Sequence, residues 1–122
     1  DKYRMGTTIW SPLASGALTG KYLEGIPEGS RASLEGYEWL KKHMLESERG
    51  QERMKKVSTL LPIAQELGVS LSKLAIAWCL LNKNVSTVIL GASKIEQLEE
   101  NLTAQEVLPL LTEQVQQKLS AI

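Results

Sequence analysis

The pattern of apolar and polar positions predicts two short strands that flank a long helical region. Residues 6–10 are rich in β-forming side chains, and residues 85–90 form a second β-branched run. Neither run is followed by a turn tight enough for a hairpin, so the two strands are expected to pair in parallel. The order of elements therefore predicts an α/β fold.

Apolar residues at helical spacing cover most of the remaining chain. The clearest helix follows Ser70 as its N-cap and carries its apolar stripe on Leu71, Leu74, Ala75, Trp78 and Cys79. Further helices are predicted over residues 37–47, from about 51 to Gly68, over 94–102, and from Glu113 to the end. Pro62 is expected to kink or split the second of these near Leu61.

The passage from the second strand into the next helix is the most informative part of the chain. Gly91 ends the strand run, and glycine lets a backbone approach a ligand closely. The helix that follows presents backbone N–H groups at its start, which favour an anion. Ser93 and Glu96 also have the spacing of a capping box, which is a purely structural role for both. The two roles are compatible, and the passage suits a phosphate.

That helix is predicted to have two distinct faces. Ile95, Leu98 and Leu102 are expected to face the core, while Gln97, Glu100 and Asn101 lie on the other side. The simplest interpretation of this second face is solvent exposure. Its position at the carboxyl end of a parallel strand favours ligand binding instead, because the last strand-to-helix loops of β/α-barrels often bind phosphate.

A second candidate region follows the first strand. Residues 13–36 form a glycine-rich loop, and long loops in compact domains are usually functional. Lys21 and Arg31 on this loop are suited to neutralise phosphate, although an exposed basic residue taken singly often serves only solubility. Trp10 is interpreted as a core residue, with stacking on a planar ring as the alternative. Trp39 and Trp78 are assigned to packing.

Composition narrows the function classes. The 122 residues carry 14 basic and 14 acidic side chains, so a nucleic-acid partner is not expected. The lone Cys79 and the absence of a signal-like or membrane-spanning segment favour a cytoplasmic protein without direct membrane insertion. His43 has no partner at metal-ligand spacing, so no metal site is predicted. Cys79 is expected to be a small, inert apolar residue.

Several motifs resemble the C-terminal third of the aldo-keto reductases, and together they resemble the branch that contains the voltage-gated potassium channel β-subunits. The first motifs are Ile9-Trp10-Ser11-Pro12-Leu13-Ala14-Ser15-Gly16 and Leu18-Thr19-Gly20-Lys21-Tyr22. The others are Ser30-Arg31-Ala32-Ser33-Leu34, Leu74-Ala75-Ile76-Ala77-Trp78-Cys79-Leu80, and Leu90-Gly91-Ala92-Ser93 with Glu96-Gln97-Leu98 and Glu100-Asn101. The resemblance runs nearly end to end.

The resemblance implies the C-terminal portion of a β/α (TIM) barrel, with residues 1–122 supplying strands seven and eight of one barrel domain without the upstream strands. It also implies NADP(H) binding. The residues that match cofactor contacts are Trp10, Ser11, Pro12, Leu13, Ala14, Ser15, Lys21, Arg31, Gly91, Ser93, Gln97, Glu100 and Asn101. Among these, Lys21 matches a pyrophosphate contact, Arg31 lies near the adenosine end, and Gln97 lies near the 2′-phosphate.

The resemblance assigns no catalytic residue to this chain, because the family's Asp, Tyr, Lys and His lie on earlier strands. A parent protein is expected to reduce a small aldehyde or ketone by hydride transfer. The alternative is a non-catalytic regulatory subunit, a homotetramer that docks on a potassium channel tetramerisation domain, senses NADPH redox state and reaches the membrane only through the channel. A third interpretation assigns no function of its own to the chain. A two-stranded piece is expected to be ordered only with the rest of a barrel or in an assembly.

Overall fold

The computed structural model describes residues 3 and 5–122. The part of the prediction that falls on Asp1, Lys2 and Arg4 lies outside these described residues. The strands are β1 (Thr7–Trp10) and β2 (Val85–Ile89), and the α-helices are α1 (Glu38–Leu40), α2 (Glu48–Glu66), α3 (Leu71–Leu80), α4 (Ile95–Leu102) and α5 (Glu113–Ser120). Three 3₁₀ segments cover Ala14–Thr19, Arg31–Ser33 and Thr103–Leu110, and a π-helical segment covers Lys41–Glu46.

The two strands pair in parallel, which confirms the predicted topology. Thr8 lies opposite Thr87 and Trp10 lies opposite Ile89, with one irregularity between Thr7 and Thr8. Gly6 allows the strands to approach at the start of β1, because a Cβ at this position would collide with the Ser86 hydroxyl. Both strands lie within the predicted runs, so their β-branched composition was a sound guide.

The core lies among the helices. α3 packs on the Thr103–Leu110 segment and on α2, and Ser70 caps α3 by accepting a hydrogen bond from the Lys73 amide, as predicted. The buried cluster is apolar throughout: Val57, Ala64, Leu71, Leu74, Ala77, Val107 and Leu111. A smaller cluster joins Tyr22 and Ala32 of the loop after β1 to Leu40 of α1. The hydrophobic effect of burying these side chains orders the helical part of the chain.

α2 runs through Pro62 as one helix, so of the two predicted effects, a kink or a split, the split does not occur. Pro62 lies on the exposed side of the helix, where water can hydrate the carbonyl that loses its N–H partner. Gly68 ends the helix region with a φ of +68°, as predicted for a helix C-terminus. The helix predicted over residues 37–47 is present but changes from α to π geometry at Lys41.

The edge formed by β1, β2 and α4 is much less buried than its pattern predicted. Trp10 is 79% exposed, so its interpretation as a core residue was wrong, and Trp39 and Trp78, which were assigned to packing, are exposed as well. The apolar side of α4 faces solvent as well, with Ile95 at 72% exposed and Leu98 and Leu102 also open. These residues have the right periodicity, but none of the described elements covers them.

In the part of the chain that the structure describes, no single helix is long and apolar enough to cross a membrane. Only α2 and α3 taken together meet a length and composition criterion, and the two helices meet at an angle of 92°.

Candidate functional site

The parallel register brings the two predicted ligand-binding passages to one edge of the sheet. Trp10 and Ile89 are paired at the carboxyl ends of β1 and β2. Ser11 follows Trp10 and Leu90 follows Ile89, so the two loops begin side by side at this edge. In parallel α/β folds this edge is where ligands bind. The passages lie 79 residues apart in sequence, so this neighbourhood depends on the fold.

The loop after β1 holds an unusual backbone. Ser11, Ala14 and Ser15 have φ values of +55°, +48° and +57°, and they are the non-glycine residues with positive φ in the described part of the chain. Such conformations cost about 1–3 kcal/mol each and cluster at ligand sites and active sites. All three were selected from the sequence as cofactor contacts, so the backbone strain coincides with the predicted site.

Lys21 lies over the same loop. A Cβ at Gly16, where φ is +98°, would stand 2.7 Å from Lys21 Cε and 2.9 Å from its Nζ. The ammonium is also 5.1 Å from the centroid of the Tyr22 ring. Thr19 fixes the turn between them by donating its hydroxyl to the Gly16 carbonyl at 2.7 Å and accepting from the Lys21 amide at 3.3 Å. The loop thus places a cation beside its strained segment.

Arg31 is placed by a different aromatic ring. Its guanidinium carbon lies 6.0 Å from the centroid of Tyr37, and its side chain is otherwise exposed. The short 3₁₀ turn that carries Arg31 is tied to the rest of the loop by the Ala32 amide, which donates to the Tyr22 hydroxyl at 3.3 Å. The sequence analysis did not identify Tyr22 as a functional residue. The one feature of the sequence that could have indicated it is the position of an aromatic residue directly after Lys21.

At the start of α4 the predicted capping box is absent. Lys94 is the N-cap residue, without a side-chain hydrogen bond, and the helix begins at Ile95. Gln97 Oε1 instead accepts from the Ser93 amide at 3.0 Å and from the Ser93 hydroxyl at 3.1 Å. The glutamine reaches back to the turn in place of Glu96 and joins two predicted cofactor residues in one exposed unit.

The remaining residues predicted on this helix divide between two environments. Gly91, Ser93, Gln97 and Glu100 are exposed, and a Cβ at Gly91 would meet nothing within 4 Å. Packing within the described residues therefore does not explain the glycine, and the space above it is open to a ligand. Asn101 is only 5% exposed, so the expectation that it shares the open face with Glu100 was wrong. α4 turns this residue toward the body of the chain.

The described residues contain no group of three or more His, Cys, Asp or Glu side chains placed to hold a metal ion. Burial raises the pKa of the half-buried Cys79 thiol, which disfavours the reactive thiolate. Hydrogen bonds from the Glu38 and Gly36 amides lower the pKa of the Glu38 carboxyl at the start of α1. Cys79 lies on α3 and Glu38 begins α1, so neither group belongs to the two passages at the strand ends.

Lys21, Arg31 and Gln97 do not contact one another through hydrogen bonds in the part of the chain that the structure describes. Each is held locally, Lys21 by the Gly16 turn, Arg31 at the Tyr37 ring and Gln97 by Ser93. An extended ligand with several anionic groups is the kind of molecule that two separate cations and a hydrogen-bonding amide can bind.

Comparison with known proteins places these features in a family. Residues 2–121 match the model of the aldo/keto reductase family. The chain is 53% identical over 121 residues to a protein of Oryza sativa subsp. japonica described as a probable voltage-gated potassium channel subunit beta. The match covers 98% of this chain and 36% of that relative, in its C-terminal part. The chain thus spans about a third of the curated relative's length, and it belongs to the aldo/keto reductase family.

Proposed function

We propose that this chain is the part of an aldo-keto reductase barrel that binds NADP(H), with β1 and β2 as the seventh and eighth strands. The family implies a TIM barrel, and two parallel strands joined through helices are consistent with part of one. The single observation that carries the proposal is the parallel pairing of Trp10 with Ile89. This pairing sets the Ser11–Ser15 loop and the Gly91–Gln97 turn at one edge.

The side chains at this edge fit the cofactor. Lys21 and Arg31 supply positive charge for phosphate groups, and Arg31 can also lie against a planar ring. The Ser93–Gln97 unit offers hydrogen-bonding groups at an exposed turn, and the open space at Gly91 lets a ligand approach the backbone. Trp10, exposed at the end of β1, presents an aromatic face to a second planar ring.

The cofactor supplies a hydride when it is bound. The residues of this chain bind and orient the nucleotide, while the groups that protonate a carbonyl substrate belong to earlier strands of the parent protein. The proposed parent activity is the reduction of a small aldehyde or ketone. Residues 1–122 alone are expected to show no carbonyl-dependent oxidation of NADPH, and turnover by this chain alone would contradict that division of roles.

Titration of the full-length protein with NADPH tests the binding proposal. Lys21→Met is expected to weaken binding about tenfold or more, because a charge-assisted contact to phosphate is lost. Lys83→Met is the matched control, since Lys83 is exposed in the turn before β2, at the opposite edge of the sheet. Equal affinities for the two variants, or no binding by the unmodified protein, would overturn the proposal.

The second candidate function is that of a cytoplasmic channel-regulatory subunit in which NADP(H) occupancy reports redox state. The observation in its favour is the similarity to the rice protein, which is described as a probable voltage-gated potassium channel subunit beta. We expect such a protein to be a homotetramer, to co-purify with the tetramerisation domain of a voltage-gated potassium channel, and to reach the membrane only through it. Binding of NADPH without carbonyl turnover, together with that co-purification, would favour this function over the reductase.

A further inference from the structure

We propose that Tyr22 is a positioning residue that holds both cationic side chains of the loop, Lys21 and Arg31, at the places where they meet the phosphates of the nucleotide. This inference rests on the proposed function. Tyr22 contacts the two cations through different parts of its side chain. Its ring lies beneath Lys21, and its hydroxyl anchors the turn that carries Arg31.

The ring provides the first contact. Tyr22 is 7% exposed and belongs to the small buried cluster with Ala32 and Leu40, so its orientation is fixed by packing. The Lys21 ammonium lies 5.1 Å from the ring centroid, within the range of a cation–π interaction. Gly16 leaves room for the lysine on the same side. A Cβ at this position would lie 2.9 Å from Lys21 Nζ and 3.4 Å from Tyr22 Cε2. The lysine is thus confined between a buried ring and the loop backbone.

The hydroxyl provides the second contact. It accepts a hydrogen bond of 3.3 Å from the amide of Ala32, which is buried and follows Arg31 directly. This bond joins residues ten positions apart and fixes the 3₁₀ turn Arg31–Ser33 against the small cluster. Without it a buried amide would lose its partner, and the turn that presents the guanidinium would be less well fixed.

Tyr37 provides a built-in comparison. Its ring lies 6.0 Å from the Arg31 guanidinium carbon, so it also contacts a cation of the loop. Within residues 3 and 5–122, however, no hydrogen bond involves its hydroxyl. Removing the hydroxyl from Tyr37 is therefore the same chemical change as removing it from Tyr22, but it leaves the anchoring of the Arg31 turn intact.

The test measures NADPH affinity of the full-length protein in a double-mutant cycle. Tyr22→Phe is expected to weaken binding about twofold to tenfold, the range for one lost hydrogen bond. Tyr37→Phe keeps the ring beside Arg31 and removes no hydrogen bond that the described residues show, so it is expected to weaken binding less than Tyr22→Phe does. In the Arg31→Leu background, Tyr22→Phe is expected to have no further effect, because its hydroxyl acts through Arg31. In the Lys21→Met background its effect is expected to persist.

The outcomes separate this inference from the proposed function. If Arg31→Leu and Lys21→Met bind NADPH as tightly as the unmodified protein, the two cations do not bind the nucleotide and the proposed function itself is wrong. The role of Tyr22 would be overturned by either of two results. In the first, Arg31→Leu and Lys21→Met weaken binding but Tyr22→Phe does not. In the second, Tyr22→Phe weakens binding equally in the unmodified protein and in the Arg31→Leu background. Hydrogen exchange of the unmodified protein gives a second measurement that needs no variant. The Ala32 amide is expected to be protected, and exchange at the rate of an open loop would also overturn the inference.

Discussion

The helical core and the sheet edge carry equally clear hydrophobic patterns, yet they differ sharply in burial. Leu74 on α3 and Val107 in the Thr103–Leu110 segment are almost fully buried. Ile95 on α4 and Trp10 on β1 are 72% and 79% exposed. Periodicity thus indicates which side chains need an apolar partner, but it does not say which element supplies that partner. In the helical region α2, α3 and the Thr103–Leu110 segment supply it for one another.

The sheet edge differs because two strands cannot cover themselves. A two-stranded parallel sheet leaves both outer edges and one face without neighbours, and parallel strands are normally buried on both faces. The chain also spans only 36% of the length of its rice relative. We propose that upstream barrel elements cover β1, β2 and the apolar side of α4.

The largest expected effect is in the helical core. Leu74→Ala should reduce the free energy of unfolding of the full-length protein by about 2–5 kcal/mol, because the methyl groups it removes leave a cavity. Leu74→Met, which nearly conserves volume, should cost less than about 1.5 kcal/mol. Denaturant titration of the two variants measures both values. Similar small losses for both would mean that this core is not tightly packed.

The sheet edge gives the second prediction. Ile95→Ala should destabilise the full-length protein by roughly 1.5–3 kcal/mol, as expected for an isoleucine that becomes buried under further elements. Glu99→Ala on the same helix is the control and should stay within about 0.5 kcal/mol. Both are measured by chemical denaturation. If Ile95→Ala is as mild as the control, the apolar side of α4 remains in water and the proposed covering is wrong.

The local rules of the sequence account for much of the fold. The β-branched runs located both strands, and the absence of a tight turn indicated their parallel pairing. Ser70 and Gly68 were recognised as helix boundaries because capping and left-handed backbone depend on the residues themselves. The same reasoning placed the candidate site at the ends of the two strands.

The failures concern choices that only tertiary structure makes. Pro62 is tolerated because its side of α2 meets water, which the local pattern does not reveal. Ser93 and Glu96 have capping-box spacing, but Gln97 reaches the Ser93 turn instead. Tyr22 was overlooked because its two contacts arise from the folding of the loop from residue 13 to residue 36. Burial of Asn101 likewise depends on how α4 is turned.

The third prediction compares two glycines in the loop after β1. Gly16 and Gly29 both have positive φ, +98° and +72°, so alanine at either position should cost roughly 1–2 kcal/mol of stability. Only at Gly16 would the new methyl meet Lys21, since nothing lies within 4 Å of a Cβ at Gly29. Gly16→Ala should therefore displace the lysine and weaken NADPH binding about as much as Lys21→Met.

Thermal unfolding and NADPH titration of the two variants separate these effects. Gly29→Ala should lose stability and keep its affinity for the nucleotide. Equal affinities for both variants would show that the position of Lys21 over Gly16 does not matter for binding, and that the strained loop acts through its backbone alone.

The smallest expected effect concerns Cys79, which lies on α3 between the two regions. Burial raises the pKa of its thiol above the ordinary value of 9.0, so the folded state holds this proton more tightly than the unfolded state. The resulting stability is complete below pH 9 and is lost as pH rises through the folded pKa. Cys79→Ser removes the titration. The difference in unfolding free energy between the two proteins should therefore shrink above pH 9.

The size of this loss of stability at alkaline pH shows whether Cys79 belongs to the buried core or to the open sheet edge. Water around the half-buried thiol keeps the effect small in the structure described here. If upstream elements also cover the β2 side of α3, the full-length protein should show a larger alkaline change, and iodoacetamide should modify Cys79 slowly at pH 8. A constant difference from pH 7 to pH 10, with rapid alkylation, would place Cys79 on the open edge and leave only the helices as a buried core.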